Sequence, residues 1–351
     1  MHRILVALTP LLAFAVAVAA APFRQPRDAE GRFVNLDGSG PKGLGAVLKW
    51  SVLDRLTGKR RSAPDRAPVP SLAPDLARLA VPPAPGEGAR ITWLGHASFL
   101  VQLDGVSLLV DPVLGEKVVT VPRNVPPGLT PEQLPHVDAA LVSHGHYDHL
   151  DLPTLTRVGA VVYAGLGQRR LLEKAGLACA ELGWWQTARI GPVEVTFVPA
   201  QHWSRRSLGD TNRALWGGFV VKGSSATVYH SGDTGWFDGF AEIGRRFRID
   251  AALLPIGAYD PAWFMSPQHL NPEEALRAFG DLGAATFVAM HWGTFKLSDE
   301  PLDEPPRRLE AERARLGLAA ERVRVLAVGE SIEVRRAVAA AGAGRPGPGG
   351  G

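Results

Sequence analysis

Three imidazoles and two carboxylates fall within eight residues in His144-Gly145-His146-Tyr147-Asp148-His149-Leu150-Asp151. Neutral imidazoles and carboxylates are ligands that zinc, manganese and iron all accept. One histidine here would pass for part of an ordinary polar loop, but the pattern His-x-His-x-Asp-His is too dense for that and reads as a metal-binding loop. It follows the apolar run Ala139-Ala140-Leu141-Val142 directly, so residues 138–142 read as a short buried strand with the cluster on the loop that leaves it. A strand exit is where a layered α/β protein can expose side chains to a crevice without disturbing its core.

Three more apolar runs end the same way. Val193 to Val198 leads into Pro199-Ala200-Gln201-His202, Thr227-Val228-Tyr229 into His230-Ser231-Gly232-Asp233, and Phe287-Val288-Ala289-Met290 into His291-Trp292-Gly293-Thr294. Taken singly, His202 or His291 would pass for a satisfied structural histidine, and Asp233 for a turn former. Four such exits in one chain point to a shared site. Together they offer five histidines and two aspartates, a set suited to two metal ions sharing a carboxylate and a water: His144, His146, Asp148, His149, His202, Asp233 and His291.

The elements that must position these residues begin near Ala89. Residues 90–95, 98–103 and 106–110 read as strands, the last two joined by Asp104-Gly105, a strong two-residue hairpin pair. Further strands are expected at 160–163, 217–222, 226–230, 250–254, 285–290 and 323–328. Helices are expected near 166–175, 236–246, 271–280 and 304–316. Asn271-Pro272-Glu273-Glu274 has the residues of a helix start: Asn as N-cap, Pro at N1, Glu at N3. Two sets of strands with helices interspersed suggest two sheets packed face to face and covered by helices.

Composition sets the outer bounds. A chain of 351 residues with 46% hydrophobic and 21% charged residues can bury a sizeable core, as expected of a soluble enzyme. The formal charge is only +3, so there is no long basic arm to suggest a nucleic-acid partner. The single Cys179 excludes an intramolecular disulfide framework and a cysteine-rich zinc ribbon. Met1-His2-Arg3 followed by an apolar run to Ala21 reads as a signal peptide or membrane anchor, with small residues where cleavage would occur. On this reading the protein is exported, periplasmic or membrane-associated. Residues 22–88 read as a Pro- and Gly-rich lead-in wrapping the core, in which Ala46 to Leu53 forms a short helix that could cover a groove. Residues 89–337 read as the ordered domain that carries the site and 338–351 as a disordered tail.

The motifs resemble the metallo-β-lactamase superfamily, with its His-x-His-x-Asp-His signature followed by a distant His, Asp and His. The resemblance implies an α+β four-layer αββα sandwich with a binuclear centre at one edge. Carried over by position, it implies that His144, His146 and His202 hold one divalent ion and that Asp148, His149 and His291 hold the other, with Asp233 bridging. Zinc leads, and manganese or iron also fits. Trp93-Leu94-Gly95-His96-Ala97-Ser98, Leu109-Val110-Asp111-Pro112, Leu254-Pro255-Ile256-Gly257-Ala258-Tyr259 and His291-Trp292-Gly293-Thr294-Phe295 resemble more closely the N-acylphosphatidylethanolamine-hydrolysing phospholipase D branch. Gly145 stands where that branch often has Asn. The resemblance implies a phosphodiesterase acting on a phospholipid through a metal-bridging hydroxide, with Asp148 and Asp233 in the reacting centre. By the same resemblance His269 reaches the substrate phosphate or the leaving oxygen. Lactonase, thioesterase or other phosphodiesterase chemistry on the same fold, and a non-catalytic metal-binding module, remain alternatives.

Four weaker readings complete the expectations. His96 is balanced between supporting a ligand and a purely structural place, and Asp151 is a candidate partner for a ligand imidazole. Tyr259 is a substrate contact or a packing residue. Trp263-Phe264-Met265, an apolar triplet near the expected site, lines an acyl groove or dips into a bilayer, which makes Trp263 a substrate-binding candidate and implies peripheral membrane contact.

Overall fold

The apolar runs become sixteen strands among the described residues of a computed structural model, which describes residues 25–207 and 209–336. In chain order they are β1 (Ala89–Gly95), β2 (Ser98–Leu103), β3 (Val106–Val110), β4 (Lys117–Val118), β5 (Val121–Pro122), β6 (Ala139–Val142), β7 (Val161–Gly165) and β8 (Cys179–Leu182). There follow β9 (Thr187–Ile190), β10 (Val193–Val198), β11 (Gly218–Lys222), β12 (Thr227–His230), β13 (Ala251–Pro255), β14 (Thr286–Met290), β15 (Val323–Arg324) and β16 (Ser331–Val334). Two seven-stranded sheets result, ordered β16-β1-β2-β3-β6-β7-β8 and β15-β14-β13-β12-β11-β10-β9, beside a small β4–β5 hairpin.

Side-chain alternation explains the layering. In β6, Ala139 and Leu141 enter the large core between the sheets, while Ala140 and Val142 pack outward with Leu155 and Leu172. Those two leucines belong to helices Leu152–Val158 and Arg169–Lys174, which form one outer layer. Helices Gly239–Arg246, Pro272–Leu282 and Glu304–Arg315 supply buried residues such as Phe240, Ile243, Phe279 and Leu309 to the core from the other side. A strand buried on both faces reads as a continuous apolar run, as β6 and β13 do. The arrangement is the expected αββα sandwich.

Local chemistry sets the turns. Asp104 and Gly105 both adopt positive φ, 51° and 79°, as a two-residue hairpin joining β2 to β3 requires. Asn271 accepts a hydrogen bond from Glu274 N and Glu274 reaches back to Asn271 N, a complete capping box. Helix Leu152–Val158 was not anticipated; Asp151 caps it, accepting from the backbone N and hydroxyl of Thr154. Asp151 therefore serves a helix end and orients no imidazole. Strands β8, β9 and β16 and the β4–β5 hairpin also went unanticipated. In β8 and β9 the apolar residues are sparse, and β16 is an edge strand whose Glu333 faces solvent.

Strand direction gathers the exits. β10 and β12 both pair antiparallel with β11, and β12, β13 and β14 pair in parallel. The C-terminal ends of β10, β12 and β14 therefore share one edge of the second sheet. Residues 25–88 lie against the sandwich: Leu72 N donates to Val328 O, Val328 N donates to Pro70 O, and Gly105 N donates to Pro83 O. The apolar segment 1–21 and the tail 338–351 lie outside the described residues. No helix among the described residues is long and apolar enough to cross a membrane.

Candidate metal centre

The loops after β6, β10, β12 and β14 bring His144, His146, Asp148, His149, His202, Asp233 and His291 together. His146 Nδ1 lies 2.9 Å from His144 Nε2 and 3.2 Å from His202 Nε2. On the other side, His291 Nε2 and His149 Nε2 lie 3.5 and 3.6 Å from Asp148 Oδ2. Asp233 stands between the two groups. Its Oδ1 is 3.1 Å from His291 Nε2, and its Oδ2 is 3.2 Å from His149 Nε2, 3.8 Å from His202 Nε2 and 4.0 Å from His144 Nε2. This is the position a bridging carboxylate requires.

A divalent cation fits these residues on two observations. Ligands about 2.0–2.1 Å from a tetrahedral zinc stand roughly 3.3 Å apart, close to the nitrogen separations of the first group. His149 Nε2, His291 Nε2 and Asp233 Oδ1 are also buried without a hydrogen-bond partner, although they face one another at short range. Buried polar atoms are seldom left unpaired. His149 and His291 share one group of ligand atoms with Asp148, and Asp233 shares another with His144 and His149, each within 4.8 Å, as donors arranged around cations do.

The far nitrogens of three ligand rings are anchored. His149 Nδ1 donates to Asp111 Oδ2 at 2.8 Å, and His202 Nδ1 donates to Gln268 O at 3.0 Å. His144 Nδ1 lies 2.9 Å from Ser143 Oγ, which itself donates to Asp111 Oδ2 at 2.6 Å. These bonds favour the tautomer that leaves Nε2 free to ligate. Asp111 also accepts from Ser143 N at 2.7 Å and is fully buried, so one carboxylate orients two ligands. The motif Leu109-Val110-Asp111-Pro112 does not by itself reveal this role. The signal lay in register: Val110 pairs with Leu141, which sets Asp111 beside the residues that lead into Ser143. His96 is a further support, its Nε2 lying 3.0 Å from Asp148 Oδ2. Asn35 of the lead-in clamps His202 from outside, accepting from His202 N and donating to His202 O.

Gly145 contributes by lacking a side chain. A Cβ there would stand 2.8 Å from both Gln168 Nε2 and Ser204 Oγ, while Gly145 N itself donates to that hydroxyl. The backbone is also strained at the site: Asp111, His96 and His291 hold φ of 42°, 53° and 61°. Non-glycine residues in this region cost on the order of 1 kcal/mol each and persist where tertiary contacts over-determine them.

Burial and charge oppose each other here. Burial pushes His144 and His202 well below the ordinary imidazole range and His146 down to about 4, so these rings are neutral and able to ligate. Burial would also lower His149 and His291, but the neighbouring carboxylates, led by Asp233, hold His149 well above its ordinary value and raise His291 to about 9. Burial likewise opposes ionisation of Asp148 and Asp233, yet His149 and the other rings keep both well below the usual carboxylate range. No lysine or arginine among the described residues forms an ion pair with Asp111, Asp148 or Asp233. The positive charge facing these carboxylates is therefore that of His149 and His291, and a divalent cation would supply it in place of their protons.

A cavity of about 500 Å³ opens over the cluster. Asp148, Asp233, His269 and His291 form its floor, and Trp50, Val118, Val119, Trp203, Phe264 and Met265 form much of its wall. His269 Nδ1 stands 3.8 Å from Asp233 Oδ2 without a hydrogen-bond partner, and burial lowers this imidazole to about 4. Tyr259 does not reach the cavity, because its hydroxyl donates to Glu304 Oε1 at 2.8 Å and its ring packs against Arg308. Trp263 lies behind the wall, 40% exposed, with the Lys49 ammonium over its ring. Within the apolar triplet, Phe264 and Met265 face the cavity. His230, at the end of β12, points away, its Nε2 donating to Ala97 O.

Residues 107–292 match the family model described as "Beta-lactamase superfamily domain". An uncharacterized protein of Mycobacterium tuberculosis is 35% identical over 85% of this chain and 82% of its own length. An N-acyl-phosphatidylethanolamine-hydrolyzing phospholipase D of Caenorhabditis elegans is 34% identical over 64% of this chain and 70% of its own. A UPF0173 metal-dependent hydrolase of Methanopyrus kandleri is 35% identical over 70% of this chain and 99% of its own.

Proposed function

The chain belongs to the metallo-β-lactamase superfamily of metal-dependent hydrolases, and from that premise we propose that it is a phosphodiesterase of the phospholipase D type, cleaving N-acylphosphatidylethanolamine or a related phospholipid. The observation that carries this reading is the contrast within one cavity. Its floor gathers the His and Asp side chains suited to cations, and its wall is largely aromatic and aliphatic, with Arg205 and Arg206 also lining it. A substrate that satisfies both is an anion attached to hydrocarbon, as a phospholipid is. Similarity to the Caenorhabditis elegans phospholipase D supports the same substrate class.

In this reading His144, His146 and His202 would hold one divalent ion and Asp148, His149 and His291 the other, with Asp233 available to both. Two such ions would supply an activated water and charge stabilisation for in-line displacement at phosphorus. The protein's own part is positional. Asp111 and Ser143 fix the ring planes of His149 and His144, and His96 fixes Asp148. His269, neutral at pH 7, donates a hydrogen bond to a phosphoryl or leaving oxygen from its place over Asp233. Trp50, Phe264 and Met265 hold acyl chain and keep water from the reacting phosphorus.

The test is metal analysis together with hydrolysis of N-acylphosphatidylethanolamine vesicles, bis-(p-nitrophenyl) phosphate, a lactone and a thioester. Two metals per chain and release of phosphatidic acid are expected. Turnover confined to the lactone or thioester would transfer the site to those esters. A metal-loaded protein inert to all four would favour a non-catalytic binding module.

A further inference from the structure

The lead-in helix is amphipathic the wrong way round for a packed element. Segments Leu44–Leu48, Lys49–Leu53 and Asp54–Leu56 run on without a break, the middle one as a π-helix. Leu44, Leu48, Val52, Leu53 and Leu56 are 73%, 53%, 50%, 53% and 80% exposed. The face turned inward carries Trp50, stacked on Phe264 with ring centroids 4.9 Å apart, and the buried Asp54. The helix is therefore seated by its polar and aromatic face and presents its leucines to the outside.

The exposed charges on and flanking the helix have one sign. Lys42, Lys49, Arg55 and Lys59 are exposed, and Asp54, the one acid between Lys42 and Arg61, is buried and paired with Lys49 at 2.7 Å. Lys42, Arg55 and Lys59 have no carboxylate partner among the described residues. Exposed leucines interleaved with unpaired cations match the boundary between acyl chains and anionic headgroups. A water-soluble protein partner would not account for the position of the patch beside the cavity. Lys49 lies 4.0 Å over the half-exposed Trp263, and Trp50 belongs both to the helix and to the cavity wall.

We propose that helix Leu44–Leu56, with Trp263 beside it, docks the protein onto a bilayer containing anionic lipid and sets the cavity mouth against the headgroups. The inference builds on the phospholipid reading of the site but is tested by binding alone, so that failure of one leaves the other standing. Docking would carry a lipid from the bilayer into the cavity along Trp50 and Phe264, without full exposure of its chains to water.

The experiment places an environment-sensitive fluorophore on the full chain at Leu56→Cys in a Cys179→Ser background, with Leu316→Cys as the control position. Vesicles of phosphatidylcholine alone and of phosphatidylcholine with phosphatidylglycerol are added. A blue shift at position 56 with the anionic vesicles, and none at 316, is expected. Leu48→Glu with Val52→Glu should weaken that response about tenfold or more, and Lys42→Glu with Lys59→Glu by about tenfold, at unchanged thermal midpoint. No shift at position 56, or an equal shift with phosphatidylcholine alone, would overturn the proposal. So would a Leu48→Glu, Val52→Glu protein that responds like the parent.

Discussion

Two loops face each other across the cavity and are held by different physics. In the loop after β6, His144 and His149 are anchored through Ser143 and Asp111 by hydrogen bonds of 2.6–2.9 Å, all of them buried. In the loop from Asp260 to Leu270, Phe264 is held by stacking on Trp50, and Trp263 by an exposed lysine over its ring. Directional bonds in a low-dielectric interior fix an atom to a fraction of an ångström, whereas apolar stacking fixes a surface and tolerates sliding. The difference suits the two proposed tasks, since metal ligation needs exact lone-pair directions and an acyl chain would need only a wall. His269 sits at the junction, on the softer loop but aimed at Asp233.

Predictions that break or sharpen this contrast run from the hard side to the soft. Asp233→Asn should lower hydrolysis on the order of a thousandfold and reduce bound metal, read by elemental analysis and turnover. A variant that keeps full activity would remove the bridging carboxylate from the mechanism. Asp111→Asn touches no proposed metal, yet it should weaken metal affinity about 10- to 100-fold in a chelator competition. Unchanged affinity would mean that packing alone orients His149.

On the soft side, Trp50→Ala should leave metal content intact. It should raise KM for lipid vesicles severalfold and cost about 1 kcal/mol of stability from the lost stack. Loss of metal in that variant would show the two loops to be coupled after all. Tyr259→Phe, outside the cavity, should lower stability by about 1 kcal/mol through the lost bond to Glu304 while turnover stays as it was. A fall in turnover would return Tyr259 to the substrate.

How much was legible in the sequence differs between these loops for a physical reason. The ligand loop advertised itself because His144, His146, Asp148 and His149 are close in sequence, and in the structure each falls within a group of potential ligands. The strand exits at His202, Asp233 and His291 were legible from apolar runs that stop abruptly, and the hairpin at Asp104-Gly105 from its turn chemistry. Asp151 misled because its nearness in sequence to the ligands is satisfied by a helix N-terminus. Tyr259 and Trp263 stood open between two readings because an aromatic near a strand end looks the same whether it faces a cavity or a salt-bridged surface.

The sequence by itself thus determined which atoms could ligate metal, the αββα layering, and the capped helix start at Asn271, because these follow from local spacing and periodicity. Only the tertiary structure decided that Asp111 braces the site, that Asn35 clamps His202 from 167 residues away, and that Trp50 walls the cavity. Those roles depend on strand register and on where a long lead-in comes to rest. Both are set by the summed packing of distant segments, which no short stretch of sequence encodes.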